Sequence, residues 1–288
     1  MKVNITVITY FIVCFWSIIL RAEVVVTKDI DYTEKSNYAD DRDLLDLYMP
    51  QGVKEAPVIV FFHGGALLYG DKTYAKGIAA RLGESGLGLV AANYRLSPAH
   101  AHPSHVQDAA AATAWVINNI ASYGGDPENV FVAGHSSGAY LAALVAVDSS
   151  LMEKHNIGQE TLKGTILISP FLYVEETAPE RITSNSVYKS IWGEKKEDWL
   201  KASVSGFIGP DRNDILVIYA DGDDLWRKEQ NERFVRDLKS EGNSNVSATE
   251  VRNRTHTTVM SAILEDDDQV GELMINFIRS LEKTDAKK

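Results

Sequence analysis

Five consecutive residues carry the strongest chemical signal in the chain. Gly134-His135-Ser136-Ser137-Gly138 stands directly after the apolar run Val-Phe-Val-Ala and directly before the helical stretch Ala-Tyr-Leu-Ala-Ala-Leu-Val-Ala-Val. A serine held on a sharp strand-to-helix turn needs small residues two before and two after it, because side chains there would strike neighbouring backbone. Ser136 is therefore the candidate nucleophile; in a different context it would be an ordinary helix N-cap. A hydroxyl attacks only when a base takes its proton, and that base needs a carboxylate to orient it. On such a turn the order along the chain is serine, acid, histidine. Two histidines follow Ser136. His155 lies in a charged helical stretch and reads as a solvated surface residue. His256, in Arg254-Thr255-His256-Thr257-Thr258, follows the last strand-like run, at the edge where open α/β sheets build their sites. It is the candidate base. The acid belongs after the run Ile-Leu-Val-Ile-Tyr-Ala, where Asp221, Asp223 and Asp224 all qualify and composition does not choose between them.

An electrophilic cradle is legible upstream. Phe61-Phe62-His63-Gly64-Gly65-Ala66 ends an early strand-like run. Glycines let backbone N–H groups come close to a developing oxyanion, each such donor stabilising the transition state by roughly 3 to 4 kcal/mol. The histidines at 100, 102 and 105 suggest metal, but spacings of two and three around Pro103 do not set three imidazoles on one helix face. No metal site is expected there, only a polar loop ahead of the helix containing Trp115.

These groups must be positioned by strands and helices in alternation. Strand-like runs fall at 24–27, 44–48, 58–62, 88–92, 130–133, 165–169, 215–220 and 247–251, and helical periodicity at 75–85, 105–123, 137–147, 227–241 and 258–281. Several strands are apolar throughout, as strands covered on both faces should be. The expected fold is α/β: an eight-stranded, mostly parallel sheet with helices on both faces and an antiparallel lead-in, since no helix separates the first two strands. The interval 171–213 breaks the rhythm, with Tyr173, Tyr188, Trp192 and Trp199 but no strand. Such intervals are usually lids or binding segments, so Trp192 is expected to wall a substrate pocket, with Leu67 a second substrate contact. A packed helical excursion is the alternative.

Composition bounds the rest. The chain has 288 residues, 45% hydrophobic and 24% charged, enough for one large α/β domain. A formal charge of -11 argues against nucleic acid and anionic membrane as partners, since tracking phosphates needs Lys and Arg. The N-terminus, Lys2 followed by a mostly apolar run from 5 to 20 and then Arg21-Ala22-Glu23, reads as a secretory signal peptide. It is shorter than the roughly 20 residues a membrane-spanning helix needs. The expected division is a signal at 1–22 and a single domain at 23–288, with a secreted or periplasmic product. Cleavage would remove Cys14, the only cysteine, and with it any disulfide or thiol nucleophile. Two glycosylation sequons begin at Asn245 and Asn253. A glycan on the second would crowd His256, which points to a bacterial exported protein.

Taken together, LLDLYMP at 44–50, FFHGGALLYGDK at 61–72, ANYRLSP at 92–98, GHSSGAYLA at 134–142, and the Asp-rich turn followed by Glu229-Gln230 and Phe234 resemble the α/β-hydrolase family. The branch resembled is that of small serine esterases, including hormone-sensitive-lipase-like carboxylesterases and kynurenine formamidases. In that family the acid stands seven residues before a glutamine opening the next helix, so Gln230 selects Asp223. The resemblance also implies oxyanion donors at the backbone N–H groups of Gly65, Ala66 and Ser137, no cofactor, and a small-molecule ester as substrate. It implies a carboxylesterase acting on short-chain esters through an acyl-enzyme. Arylformamidase and feruloyl or acetyl carbohydrate esterase activities would use the same residues, and a catalytically dead binding protein is the non-enzymatic alternative. Ala66 and Leu67 depart from both sub-families, which carry a third glycine or a tryptophan after the glycine pair.

Overall fold

The computed structural model describes residues 23–285 except 34–37, 39, 211 and 266. Each expected strand is present: β1 (Val24–Asp31), β2 (Leu44–Pro50), β3 (Ala56–Phe62), β4 (Gly88–Ala92), β5 (Gly125–His135), β6 (Leu162–Ile168), β7 (Asp214–Ala220) and β8 (Val246–Val251). They form one sheet in the order β1-β2-β4-β3-β5-β6-β7-β8. β1 and β2 pair antiparallel and β2 meets β4 antiparallel, as the missing helix between the first two predicts. All pairings from β4 to β8 are parallel.

The helices are α1 (Lys76–Gly83), α2 (Ser104–Asn119), α3 (Ser137–Val147), α4 (Ser149–Glu153), α5 (Val174–Ser184), α6 (Lys189–Trp192), α7 (Lys196–Ala202), α8 (Leu225–Ser240), α9 (Thr258–Ser261) and α10 (Val270–Asp285). The period-two alternation of β3 divides the core between the faces. Val58, Val60 and Phe62 pack with residues of α2 and α3, while Ile59 and Phe61 pack with Ile78 and Leu82 of α1 and Met274 and Ile278 of α10. Both faces of the sheet are covered, so all seven residues of β3 are buried. α3 is buried along its whole length, as its unbroken run of Ala, Leu and Val requires.

Two boundaries differ from the sequence reading. β5 begins at Gly125, because Gly125 already pairs with Ala56 across an irregularity in the ladder, although Asp126, Glu128 and Asn129 are polar. The helix expected at 258–281 is broken. Asp268 accepts from the amide of Gly271 at 2.8 Å, capping α10, and also pairs with Arg81 of α1 at 2.9 Å. The acidic stretch before it has no apolar stripe to continue a helix. The interval 171–213 contains α5, α6 and α7 and, among the described residues, no strand.

The sequence order of the sheet reverses around β3, with β4 on one side and β5 on the other, so loops diverge there and leave a crevice at the carboxyl edge. The loops after β3, β5, β7 and β8 all open on that edge. Close approach is set by glycine: a Cβ on Gly138 would lie 2.0 Å from the carbonyl oxygen of Phe62, and one on Gly134 2.3 Å from the carbonyl carbon of Gly138. Only with both residues bare can α3 start against the end of β3. Among the described residues no helix is long and apolar enough to cross a membrane. The expected signal at 1–22, with Cys14, lies outside the described residues.

Candidate active site

Ser136 sits between β5 and α3 with φ 54 and ψ -116, a region that non-glycine residues rarely occupy and that costs roughly 1 to 3 kcal/mol. The turn is held by the Ser136 amide donating to Ile168 O at 2.8 Å and the Tyr140 amide donating to Ser136 O at 3.0 Å. Its Oγ lies 2.9 Å from Nε2 of His256, and His256 Nδ1 lies 2.7 Å from Oδ1 of Asp223. The other carboxylate oxygen of Asp223 accepts from Ser169 Oγ at 2.6 Å and from the Ala220 amide at 3.0 Å. Burial alone would raise this carboxyl, but the hydrogen bonds from His256, Ser169 and Ala220 outweigh it and hold Asp223 below the usual carboxylate range. An ionised Asp223 accepts a hydrogen bond from Nδ1–H, which keeps the ring proton on Nδ1 and leaves Nε2 bare to receive the Ser136 proton. Arg227 bears on the same oxygen, its Nε 3.5 Å from Oδ1 and its Nη1 donating to Ser169 O at 2.9 Å.

The structure thus brings Ser136, His256 and Asp223 into one relay. The two other aspartates of the turn do different work. Asp221 is exposed and accepts from the amides of Asn253 and Arg254 at 2.9 and 3.0 Å, pinning the His256 loop to the β7 loop. Asp224 is exposed and stands at the start of α8, without a side-chain cap bond. Gln230, which set the register, accepts from the amides of Leu172 and Tyr173 at 3.0 and 3.3 Å, tying α8 to the segment beneath the cleft. His155 lies in the loop after α4, half-buried rather than fully solvated.

Gly65, Ala66 and Leu67 have φ 134, 57 and 63, three successive residues in the left-handed region. A Cβ on Gly65 would lie 1.8 Å from Tyr69 O, because the amides of Leu68 and Tyr69 both fold back onto Gly65 O. The amides of Gly65, Ala66 and Ser137 donate to no protein group among the described residues. Gly65 and Ala66 border the same cleft as Ser136, and Ser137 is the first residue of α3, where the helix leaves its N–H groups free. This loop is braced by Tyr94, whose hydroxyl donates to His63 O at 2.7 Å and whose ring stacks on His63 at 4.3 Å.

The cleft has a volume of about 720 Å³ and includes Phe61, Tyr69, Tyr74, Phe171, Arg181 and Met260 in its walls. Neither expected substrate contact is among them. Leu67 is fully buried, its side chain turned beneath the loop into the core while its carbonyl accepts from the Ser97 amide at 2.8 Å. Trp192 is 3% exposed and lies behind Phe171, ring centroids 5.6 Å apart, beside a separate cavity of about 480 Å³. Phe171 is the aromatic that reaches the cleft, so the 171–213 interval walls it through residues other than Trp192.

Sequence reasoning also missed His135, Ser169 and Arg227. Nε2 of His135 donates to the carbonyl of His256 at 2.9 Å, fixing the backbone of the candidate base from the residue preceding the candidate nucleophile. Ser169 could have been noticed as a hydroxyl ending the apolar run of β6. The expected polar loop at 100–105 is corrected in part: His105 is fully buried in α2 and shares a 3.1 Å hydrogen bond with Ser97 Oγ. Among the described residues no group of three potential ligands could hold a metal.

Burial lowers His63 and His102 to about 4 and His105 and His135 to about 3. All four are neutral in the folded protein at pH 6, whereas an unfolded histidine takes up a proton near pH 6.5. The unfolded state therefore binds more protons, and stability falls as pH drops from about 6.5 toward 4, by up to about 1.4 kcal/mol per pH unit for each histidine. Thermal unfolding followed from pH 8 to 4.5 should show a flat plateau above pH 7 and a steep decline below pH 6. A midpoint constant down to pH 5 would show that these imidazoles gain their protons while folded.

A family profile described as alpha/beta hydrolase fold matches residues 59–260. Esterase LipQ of Mycobacterium tuberculosis is 27% identical over 267 residues, covering 88% of this chain and 62% of LipQ. An isoprenylcysteine alpha-carbonyl methylesterase of Arabidopsis thaliana is 35% identical over 120 residues, 40% of this chain and 28% of the plant protein. The chain spans less than two thirds of the length of these relatives. Among solved structures, esterase B from Lactobacillus rhamnosis superposes with a TM-score of 0.79 at 19% identity, covering 92% of this chain and 89% of that one. A truncated carbohydrate esterase from gut microbiota superposes with a TM-score of 0.74 at 21% identity, covering 91% and 98%. With the profile spanning most of the sheet and both halves of the candidate site, the chain belongs to the α/β-hydrolase fold family.

Proposed function

We propose that the protein is a serine carboxylesterase that cleaves short-chain esters of small molecules through an acyl-enzyme. The observation that carries this reading is the unbroken relay from Ser136 through His256 to a buried, ionised Asp223, beside three free amides. Ser136 Oγ attacks the ester carbonyl as His256 Nε2 takes its proton, and the amides of Gly65, Ala66 and Ser137 receive the oxyanion. Collapse expels the alcohol with the proton from His256. Water, deprotonated by the same nitrogen, then releases the acid and restores Ser136. Labelling by a serine-directed fluorophosphonate, absent in Ser136→Ala, tests the nucleophile and separates the enzyme from a dead binding protein. Turnover of nitrophenyl esters from acetate to dodecanoate, beside N-formylkynurenine and methyl ferulate, separates esterase from formamidase and feruloyl esterase.

Preference for short acyl chains is supported by Phe171, backed by Tyr140 at 4.6 Å and Trp192 at 5.6 Å, a wall with aromatic rings behind it. Each acyl methylene gains only about 0.8 kcal/mol on burial and does not offset a clash with such a wall. Phe171→Leu should raise kcat/KM for octanoate relative to acetate about tenfold. An unchanged chain-length profile would place the limit elsewhere, with Tyr69 and Met260 the next residues to vary.

Export is proposed from the basic and apolar character of 1–22. N-terminal sequencing of protein recovered outside the cytoplasm should begin at or near Glu23; an intact Met1 would overturn it.

A further inference from the structure

The cleft walls contain two guanidinium groups and no carboxylate, in a protein whose formal charge is -11. The two cations are in different states. Arg227 is engaged by Asp223 and by Ser169 O. Arg181, on α5, has no carboxylate within ion-pair distance among the described residues; Asp224 and Glu180 act on it only from further away, and the Tyr188 hydroxyl is its direct polar neighbour. By contrast Arg81, Arg95, Arg233 and Arg254 each hold a carboxylate at between 2.6 and 2.9 Å.

Arg181 is fixed instead by aromatic faces. Its guanidinium carbon lies 5.0 Å from the Phe171 ring centroid, 5.4 Å from Tyr188 and 5.7 Å from Trp226. Rings stabilise the charge through their π faces, but three ring faces offer no lone pairs to the in-plane N–H donors. The planar fork is thus held in place, partly desolvated, with the Tyr188 hydroxyl as its polar neighbour and no carboxylate on its remaining donors among the described residues, at the wall where Phe171 borders the Ser136 cleft. A fork of this kind matches a carboxylate with two parallel hydrogen bonds, which water and a lysine do not reproduce.

We infer that the ester hydrolysed here carries a free carboxylate, on its acyl or its alcohol part, and that Arg181 receives it. This rests on the esterase reading of the site and names a substrate class within it. A carboxylate-bearing ester would complete the Arg181 fork when it binds, whereas a neutral ester leaves those donors unpaired.

Two isosteric pairs test the inference: monomethyl glutarate against methyl 5-methylhexanoate for the acyl side, and butanoyloxyacetate against isobutyl butanoate for the alcohol side. In one pair the carboxylate member should be preferred by at least tenfold in kcat/KM. Charged hydrogen bonds of this type correspond to roughly 10- to 100-fold, so Arg181→Gln should lower that preference by about this factor. Arg181→Lys, which keeps the charge and loses the fork, should restore only part of it. Ratios near one in the unmodified protein, or a ratio indifferent to Arg181→Gln, would overturn the inference. Calorimetric binding of monomethyl glutarate and butanoyloxyacetate to Ser136→Ala, with and without Arg181→Gln, reads the same contact without turnover. Binding that depends on Arg181 in a protein that cleaves none of the four esters and no nitrophenyl ester would sink the esterase reading, and with it the ester class inferred here, while leaving the carboxylate contact at Arg181 standing. Absence of binding that depends on Arg181 would do the reverse.

Discussion

Ser136→Ala should keep its fold and lose on the order of 10³ to 10⁶ in kcat on a nitrophenyl ester. The turn that strains Ser136 is held by backbone bonds to Ile168 and Tyr140, and alanine at φ 54 carries the same strain as serine. Among the described residues, the side-chain hydrogen bond lost is the one to His256 Nε2. The thermal midpoint should accordingly stay within a few degrees. What disappears is the atom that forms the acyl-enzyme; the free amides of Gly65, Ala66 and Ser137 remain, so residual hydrolysis by water above the uncatalysed rate is expected. Activity within tenfold of the unmodified protein would remove Ser136 as nucleophile, and with it the reading of His256 as the base.

The sheet and the relay were legible in the sequence for the same reason. Strands buried on both faces must be apolar, so β3, the second half of β5 and β7 from Ile215 onward appear as unbroken runs, and the turns that follow them stand out by contrast. Gly134 and Gly138 are visible because backbone occupies the space where their side chains would be. Substrate contacts leave no such mark. Trp192 and Phe171 are both buried aromatics in one strandless interval, and which of them borders the cleft depends on how α5 and α6 pack over Tyr140, a tertiary fact without a sequence period. Leu67 follows the oxyanion loop in sequence, but its left-handed backbone sends the side chain into the core. His135, Ser169 and Arg227 are recognised by their contacts with His256 and Asp223, and each would pass in the sequence for an ordinary polar residue near the end of its element. The choice among three aspartates lay outside composition and came only from the Gln230 register. The reason for that register is structural: Gln230, two turns beyond Asp223 and one beyond Arg227, holds the amides of Leu172 and Tyr173 and so locks α8 against the segment that follows β6.

Asp223→Asn is the sharper test of that choice, because the environment of Asp223 dictates how an amide would sit. Ser169 Oγ and the Ala220 amide both donate to Oδ2, so the carbonyl oxygen of an asparagine must occupy that position. Its NH2 group then faces His256 Nδ1, where an acceptor stood. A donor opposite Nδ1 forces that nitrogen to accept, moves the ring proton to Nε2, and aims an N–H at Ser136 Oγ instead of a lone pair. The base is then in the wrong tautomer with its geometry intact, and kcat should fall by roughly 10⁴ while KM changes little. Arg227, 3.5 Å from the carboxylate in the unmodified protein, would lose its countercharge, so some loss of stability should accompany the kinetic loss. Asp224→Asn removes an exposed charge with no side-chain cap bond at the start of α8, and kcat should stay within about threefold. Measured side by side on one nitrophenyl ester, the two variants separate the residues by more than three orders of magnitude in kcat if His256 is oriented as the hydrogen bonds indicate. Exchange of their behaviour would mean that His256 turns to Asp224 in the working enzyme.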